Sequence, residues 1–548
     1  MKKKVIVYSI ITLLIALYVF IQAPVLNPLY FDGALFYCVV ITIYILAAVI
    51  MKFGVIKLEK PTQERPLNVV PNFHFPKKAI LITAAPWVLL LICTIASSVL
   101  FNVSAFRDQL GTPETRIFES DMQAVDTDQI PIVDVDLATK LADKKLGERP
   151  ALGSQVVLGE PTIQMVDGKL VWVVPLQHSG FFKWITNLEG TPGYIVVSAT
   201  SMTDVEYVEG HKIKYQPNAY LLQNLHRKLR FSGALFTGIT DYSFELDDDG
   251  NPYWVATTYQ NKRFFSLPEA TGVIVMNATT GQLNHYSIDN VPAWVDRVQP
   301  EDFVITQIDN QGEYVHGIFN FANKDKFRTS EGHIIVYNEG RCYLFTGLTS
   351  VGGDDSAIGF IMVDMVTKES HLYQMAGATE TAAQQSAEGK VQHLAYQASF
   401  PLIINIDGEP TYFMTLKDNA GLVKQYAMVS VTDYTVVGVG ETISATVQDY
   451  EQTLRNSSGS ASLDATEEKE EARGKVLRIA SEFDGSSTVY KVILEEHLDQ
   501  IFLVPADLSE ELALTREGDS VVLEYTADEA GEGGIYSAVT FDNLEFTQ

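Results

Sequence analysis

Cysteine is scarce. Cys38, Cys93 and Cys342 are the only three among 548 residues, and the first two fall in apolar runs, so a single thiol is left for the rest of the chain and no disulfide can form within it. Cys342 reads as a small buried apolar side chain rather than a reactive thiol. Basic residues are scarce in the same region. The net charge is −28, and residues 1–101 hold nine Lys/Arg against three acids, so everything after them carries −34. Such a surface has no basic stripe with which to release counterions from a phosphate backbone, which argues against nucleic-acid binding. Signatures of catalysis are also missing. There is no H-E-x-x-H pair, no zinc-ligand spacing around Cys342 and no G-x-S-x-G elbow. Gly352-Gly353-Asp354-Asp355-Ser356 lacks the lysine of a phosphate-binding loop and reads as a long turn. No catalytic, metal-binding or cofactor-binding residue is therefore assigned, and no cofactor is expected.

What is present is a folded chain. With 47% hydrophobic and 20% charged residues, it is neither disordered nor collagen-like, and its length predicts several domains of roughly 100–200 residues each. The first 101 residues contain uncharged apolar runs at about 5–23, 34–51 and 79–101. Each is near the roughly 20 residues needed to cross a bilayer, where only a helix satisfies every backbone group. The first run is longer than a signal-peptide core and no A-x-A site follows it, so it is expected to remain as a span. Lys2, Lys3 and Lys4 precede it, the 24–33 loop has no Lys or Arg, and the 52–78 loop has six. By the positive-inside rule the N-terminus and second loop are cytoplasmic and residues 102–548 extracytoplasmic. The spans hold no ionisable residue, so they read as an anchor rather than an ion pathway.

Past a juxtamembrane segment at 102–130, one pattern recurs: an apolar strand, an acidic-Gly turn, then a strand rich in aromatic and β-branched residues. The turns are Asp167-Gly168, Asp249-Gly250, Glu339-Gly340 and Asp407-Gly408, and glycine there accepts the positive φ of a primed hairpin turn. Two more short strands follow each hairpin, giving four antiparallel meanders. The intervals between turns, 82, 90 and 68 residues, are too uneven for a fixed-geometry solenoid and suit separate or paired α+β modules at 131–210, 211–300, 301–376 and 377–448. Covering helices are expected from Leu137 to Leu146, at Ala219–Phe231 and at Ala378–Leu394, with none clear before the third meander.

The second unit ends Val273-Ile274-Val275-Met276-Asn277-Ala278-Thr279-Thr280-Gly281-Gln282-Leu283. A helix stopped by glycine, then strands, then such an ending resembles the PepSY module of secreted-protease propeptides and membrane-tethered bacterial envelope proteins. The resemblance covers at most residues 137–440. It is interrupted in unit one by Pro175–Pro192, and units three and four lack the Thr-Gly ending. It implies intermolecular binding or modulation of a protease.

Residues 449–472 are small and charged and read as a linker. Five short β runs over 473–548 predict a small closed barrel similar in pattern to an OB-fold or SH3-like barrel, although fold alone does not bring oligonucleotide binding with it. Asp247-Asp248-Asp249-Gly250-Asn251 has carboxylates for Ca²⁺ but not the flanking helices or twelfth-position glutamate of an EF-hand, and reads as a solvated turn. His211 and His333 each follow Glu-Gly, a turn pattern rather than a ligand pattern. Trp294 and Arg297, in the segment joining units two and three, are residue types that dominate binding patches and form the one candidate interaction site. The resulting expectation is a membrane-anchored α+β protein: three N-terminal transmembrane helices, repeated hairpin modules with covering helices and a terminal small barrel. Its expected role is non-enzymatic binding or scaffolding at the cell envelope through edge-strand or groove contact with another protein. The alternatives are an accessory subunit of a transport or secretion complex, and an extracellular hydrolase working through paired carboxylates.

Overall fold

The computed structural model describes residues 2–53, 56–59, 68–71, 76–122, 130–338, 340–351, 356–406, 408–458, 469–483, 488–506, 508–509, 511–526 and 535–546. Glu339, Asp407, residues 352–355 of the glycine-rich loop and 459–468 of the expected linker lie outside that set. The chain divides into two compact units, Met1–Leu454 and Arg455–Gln548.

Three helices are long and apolar enough to cross a membrane: α1 (Lys2–Gln22), α2 (Phe31–Phe53) and α3 (Lys77–Ala96). A two-stranded ladder, β1 (Ile56–Glu59) and β2 (Asn68–Pro71), lies between α2 and α3. The third span stops at Ala96 rather than at residue 101. Ser97 Oγ caps back onto the Cys93 carbonyl at 2.6 Å, Ser98 turns to an extended conformation, and a separate helix α4 (Val99–Arg107) starts there. The segment that follows holds β3 (Glu114–Arg116) and the short α5 (Phe118–Asp121).

Module 1 comprises α6 (Val135–Gly147), α7 (Pro150–Gly153), β4 (Val156–Leu158), β5 (Thr162–Val166), β6 (Lys169–His178), α8 (Phe181–Thr186), β7 (Thr191–Ser198) and β8 (Val205–Ile213). Module 2 comprises α9 (Leu225–Leu229), β9 (Gly238–Leu246), β10 (Pro252–Arg263), β11 (Ser266–Asn277) and β12 (Leu283–Ser287). Module 3 comprises α10 (Glu301–Glu313), β13 (Phe327–Thr329), β14 (Ile334–Asn338), β15 (Arg341–Ser350), β16 (Ser356–Asp364), β17 (Ser370–Tyr373) and β18 (Gly377–Ala378). Module 4 comprises α11 (Glu380–Lys390), β19 (Gln397–Ala398), β20 (Leu402–Ile406), β21 (Glu409–Lys417), β22 (Val423–Ser430) and β23 (Val437–Gly440). Each module is an open antiparallel meander behind a helix; β3 adds to module 3 in parallel, on β17.

The helices correct the sequence reading in three places. Module 3 has a leading helix after all, α10, whose apolar positions Val304 and Ile308 are too few to stand out in a polar sequence. The helix expected at Ala219–Phe231 is broken. Asn224 caps α9 by accepting from the Arg227 N–H, and the turn that follows ends at Gly233, whose φ of +147° no helix tolerates. The third covering helix is shorter than Ala378–Leu394, capped at its start by Thr379. The expected linker also begins late, because α12 (Ile443–Ser458) occupies its first residues and buries Tyr450, whose hydroxyl lies 2.9 Å from Thr411 Oγ1.

The four modules are neither separate nor paired. They form a closed circle in which each sheet buries both faces. Val171 and Val173 of β6 meet Trp254, Ile274 and Met276 of module 2 around Leu225 and Leu229 of α9. The opposite face of module 1, Val174, Leu176, Ile195 and Val197, meets Phe413 and Met428 of module 4 around Leu137, Ala138 and Ala142 of α6. Tyr412, Met414 and Ala427 of module 4 meet Phe345, Phe360 and Met362 of module 3 around Ala383 and Ala387 of α11. Between modules 3 and 2, Leu344, Ile361 and Val363 cover α10, Val255, Val273 and Val275 cover Val295 and Val298, and the N–H groups of Val298 and Gln299 both donate to the Met365 carbonyl at 2.8 Å. Each helix therefore wedges between its own sheet and the preceding one, with the first helix closing against the last sheet.

A register rule underlies the repeat. The residue four after each turn glycine, Trp172, Trp254, Leu344 or Tyr412, faces its own module's helix. Three of these four side chains donate to a carbonyl ahead of that helix: Trp172 Nε1 to Val133 (2.7 Å), Trp254 Nε1 to Tyr215 (2.8 Å) and Tyr412 OH to Ala378 (3.0 Å). Buried aromatic groups with a polar tip need such a partner. The helix–sheet fit is also tight at Gly312 of α10, where a Cβ would stand 2.0 Å from the Phe327 carbonyl oxygen. Helix propensity favours alanine there by about 1 kcal/mol, but the backbone of β13 cannot yield cheaply. Gly312→Ala is expected to lower stability by about 2 kcal/mol net, as read by the tryptophan emission of purified protein through a urea titration.

The unit Arg455–Gln548 contains β24 (Lys469–Phe483), β25 (Thr488–Leu494), β26 (His497–Pro505), β27 (Ser520–Thr526) and β28 (Ile535–Asn543). The strands pair in the circuit β24-β25-β26-β28-β27, with β24 long enough to pair both β25 and β27 and with β26 and β28 parallel. Val476, Val492, Phe502, Val521 and Leu523 fill the interior.

Candidate functional site

The innermost strand of each module is interrupted at the same point. In modules 1, 3 and 4 it is split: β4 and β5 lie along successive halves of β6, β13 and β14 along β15, and β19 and β20 along β21. One bond to the second strand survives at each break, from the N–H of Gly159 to Pro175 O (2.7 Å), of Ser330 to Gly347 O (2.8 Å) and of Ser399 to Thr415 O (2.9 Å). In module 2 the strand is continuous but bulged. Asp241 is the extra residue between the pairs Thr240–Thr257 and Tyr242–Ala256, and its φ is +49°. Bulges and left-handed non-glycine residues re-aim side chains and gather at functional sites.

These interruptions face one another across a single cavity of about 1510 Å³, lined by Gly159, Glu160, Thr240, Asp241, His333, Ser399 and Phe400 among others. Four sheet edges thus surround a common space. The lining is mixed in charge. Lys417 of β21 pairs with Asp134, the residue that caps α6 by accepting from the Leu137 N–H at 3.0 Å. Lys140 Nζ donates to the Ala420 carbonyl at 2.8 Å. On the opposite wall Arg297 Nη1 donates to Glu301 Oε1 at 2.9 Å, and His333 Nε2 lies 2.9 Å from Glu301 Oε2. His333, and to a lesser extent Arg297, hold the Glu301 carboxyl below the usual carboxylate range. Asp241 is exposed to the same cavity, and desolvation by the surrounding walls pushes its carboxyl up.

A buried acidic layer lies behind Arg297. Asp296 accepts from the Met165 N–H and from Tyr337 OH, both at 2.9 Å, and its pKa is nevertheless raised by burial. Glu245 is buried on β9, accepts from Ser243 Oγ at 2.5 Å, and is pushed up to about 7 by desolvation.

The residues singled out in the sequence are placed as follows. Trp294 and Arg297 do not form one patch: Trp294 packs on Tyr253 with centroids 4.9 Å apart in the cluster between modules 2 and 3, whereas Arg297 lines the cavity. His333 belongs to the cavity wall rather than to a simple turn. Asp247 folds onto its own hairpin, its Oδ1 accepting from the Asp249 and Asn251 N–H groups, and among the described residues no cluster of His, Cys, Asp and Glu could hold a metal ion. Cys342 is buried on β15 with its thiol pushed up by desolvation. Asp241 and Glu301 gave no signal in the sequence. The only mark, Glu301 four residues after Arg297, is too common on helices to single out a site.

No protein-family model matches the chain, and no curated protein sequence does. Among solved structures, an α-L-arabinofuranosidase from Lactobacillus brevis is 10% identical over 50% of this chain and 70% of its own, with a TM-score of 0.17. An endo-1,4-beta-xylanase from Bacteroides thetaiotaomicron is 13% identical over 52% and 76%, also at 0.17. A B. megaterium levansucrase mutant is 10% identical over 76% and 97%, at 0.15. Scores this low carry no argument about fold or activity.

Proposed function

We propose that the chain is a non-enzymatic binding protein of the cell envelope, anchored by its three spans, that holds an extended segment of a partner protein in the central cavity. The observation that carries this reading is the set of four interrupted sheet edges around one space. Free edge N–H and C=O groups pair readily with an added strand, and cationic and anionic side chains on the walls would fix its register. The lysines of the N-terminus and the 52–78 loop support a cytoplasmic placement of those segments, with residues 102–548 outside. The recurring helix-plus-meander supports PepSY-like modules, and with them binding, restraint of a protease included, as the role. Strand order 1-2-3-5-4 with a parallel 3–5 pair supports an OB-like reading of the terminal unit.

The test is a photoreactive amino acid placed at Ile334 or Ser399 in native membranes, irradiated and followed by identification of what is joined to the protein. The expected product is a covalent adduct with a second polypeptide. Adducts with lipid alone, or only with another copy of this chain, would refute the reading.

One observation favours a second reading. Asp241 and Glu301 line one cavity with their carboxyls displaced in opposite directions, as an acid and its partner carboxylate are in glycoside hydrolysis. Glu301 is, however, committed to Arg297 and His333. The hydrolase reading requires purified protein to release reducing ends from envelope polysaccharide, with Asp241→Asn abolishing the release. The binding reading expects no release from either form and the same adduct from both.

A further inference from the structure

The membrane ends of the spans meet the modules at one place. Leu26 N–H donates to Leu235 O at 2.8 Å, Asn27 Nδ2 to Phe236 O at 3.0 Å, and Phe265 N–H to Ser97 Oγ at 3.0 Å. Phe20 of α1 stacks on Phe231 with centroids 6.0 Å apart, and Phe31 of α2 meets Phe265 at 5.8 Å. The end of α1, the start of α2 and the end of α3 therefore all lie against module 2, and mark the level at which the hydrocarbon core stops.

Exposed apolar side chains continue outward from that level. Arg227 donates both to Ile21 O at the end of α1 (3.3 Å) and to Leu221 O (2.8 Å). Leu221 and Leu222 are exposed, and Tyr220 beside them packs on Phe181 and Trp184 of α8 with centroids 5.2 and 5.3 Å away. Phe182 on the same helix is 80% exposed. On the other side of the bundle Phe264, at the tip of the β10–β11 hairpin next to Ser97, is 54% exposed, and Phe236 is exposed as well. An apolar surface of this extent on a folded protein marks an interaction site.

Charge separates this patch from the rest. Residues 102–548 carry −34 overall, yet residues 218–240 contain no Asp or Glu and hold Arg227 and Lys228, neither of them buried, and Lys262 and Arg263 adjoin Phe264. Aromatic rings beside cationic side chains are the composition of a membrane–water interface facing anionic headgroups.

We infer that the base of modules 1 and 2, from α8 through Leu221 and Leu222 to the Phe264 hairpin tip, rests in the interfacial layer of the same bilayer that the spans cross. The bound surface is phospholipid with an anionic fraction. It holds the ring in a fixed orientation over the membrane, and it is independent of what occupies the cavity.

The full chain would be placed in nanodiscs of phosphatidylcholine and phosphatidylglycerol, with and without bromine on the acyl chains. Phe182→Trp and Phe264→Trp each add an emitter at the base, and Tyr434→Trp adds one at an exposed turn of module 4, across the circle from module 2. All three are conservative swaps at exposed positions, and emission is read as the difference from the parent protein. The added emission at 182 and 264 is expected to fall by roughly half in brominated discs, as for side chains sunk roughly 5–10 Å into the interface, and to resist aqueous iodide. Emission at 434 should do the reverse. Iodide quenching at 182 equal to that at 434, or bromine quenching confined to 264, would overturn the inference, since module 1 would then stand clear of the lipid.

Discussion

Replacing Arg297 by leucine is expected to lower the stability of the four-module unit by about 3 kcal/mol, the range found when one member of a buried ion pair is removed. The guanidinium is only 17% exposed and pairs with Glu301, while Glu245 and Asp296 lie behind it. Without it Glu301 keeps only its contact to His333, and Asp296 and Glu245 lose the cation beside them. Arg297→Lys keeps the charge but not the planar fork and should lose less. The readout is selective, because all five tryptophans precede residue 455, so urea unfolding followed by their emission reports the first unit and is blind to the second. A loss below about 1 kcal/mol would mean that the pair behaves like an exposed one.

The same layer should make stability depend on pH. Glu245 holds its proton up to about pH 7 in the folded chain against an ordinary 4.5. Between those values the folded state carries more protons than the unfolded one, so stability falls as pH rises through the window, by about 3 kcal/mol from this group alone. Asp241 and Asp296, whose carboxyls are also pushed up, act with the same sign, whereas Glu301, held low, opposes them at more acid pH. Glu245→Gln removes the titration while keeping an acceptor for Ser243, and should flatten the profile between pH 4.5 and 7. Equal slopes for the two proteins would place the titration elsewhere.

Much of the architecture was legible because it rests on local signals. The three apolar runs give the spans, and the turn glycines give the hairpins: Asp167 and Gly168 both take positive φ, 48° and 72°, as a primed turn requires. The closure of the modules was not legible. Alternation along β6 or β21 shows only that a strand has two faces, not which distant strand covers each. The α10 helix was hidden because Gln307 and Gly312 occupy buried positions normally read as polar or breaking. The cavity was hidden for a related reason: its wall is made of the places where the strand pattern fails, Glu160-Pro161, Asp241 and Ser399-Phe400, which in a sequence look like ordinary loops.

Because α6 packs on one side against Val174, Leu176, Ile195 and Val197 of its own module and on the other against Phe413 and Met428 of the last one, one side of this first covering helix stays open until β22 has left the ribosome. A linear array can lose a terminal repeat and keep the rest; this arrangement cannot, since any deleted module strips a face from two others. Translation stalled between Lys390 and Val423 should therefore yield a product that proteases degrade whole, and mutations that slow completion should reduce the amount of protein without changing the stability of what is finished.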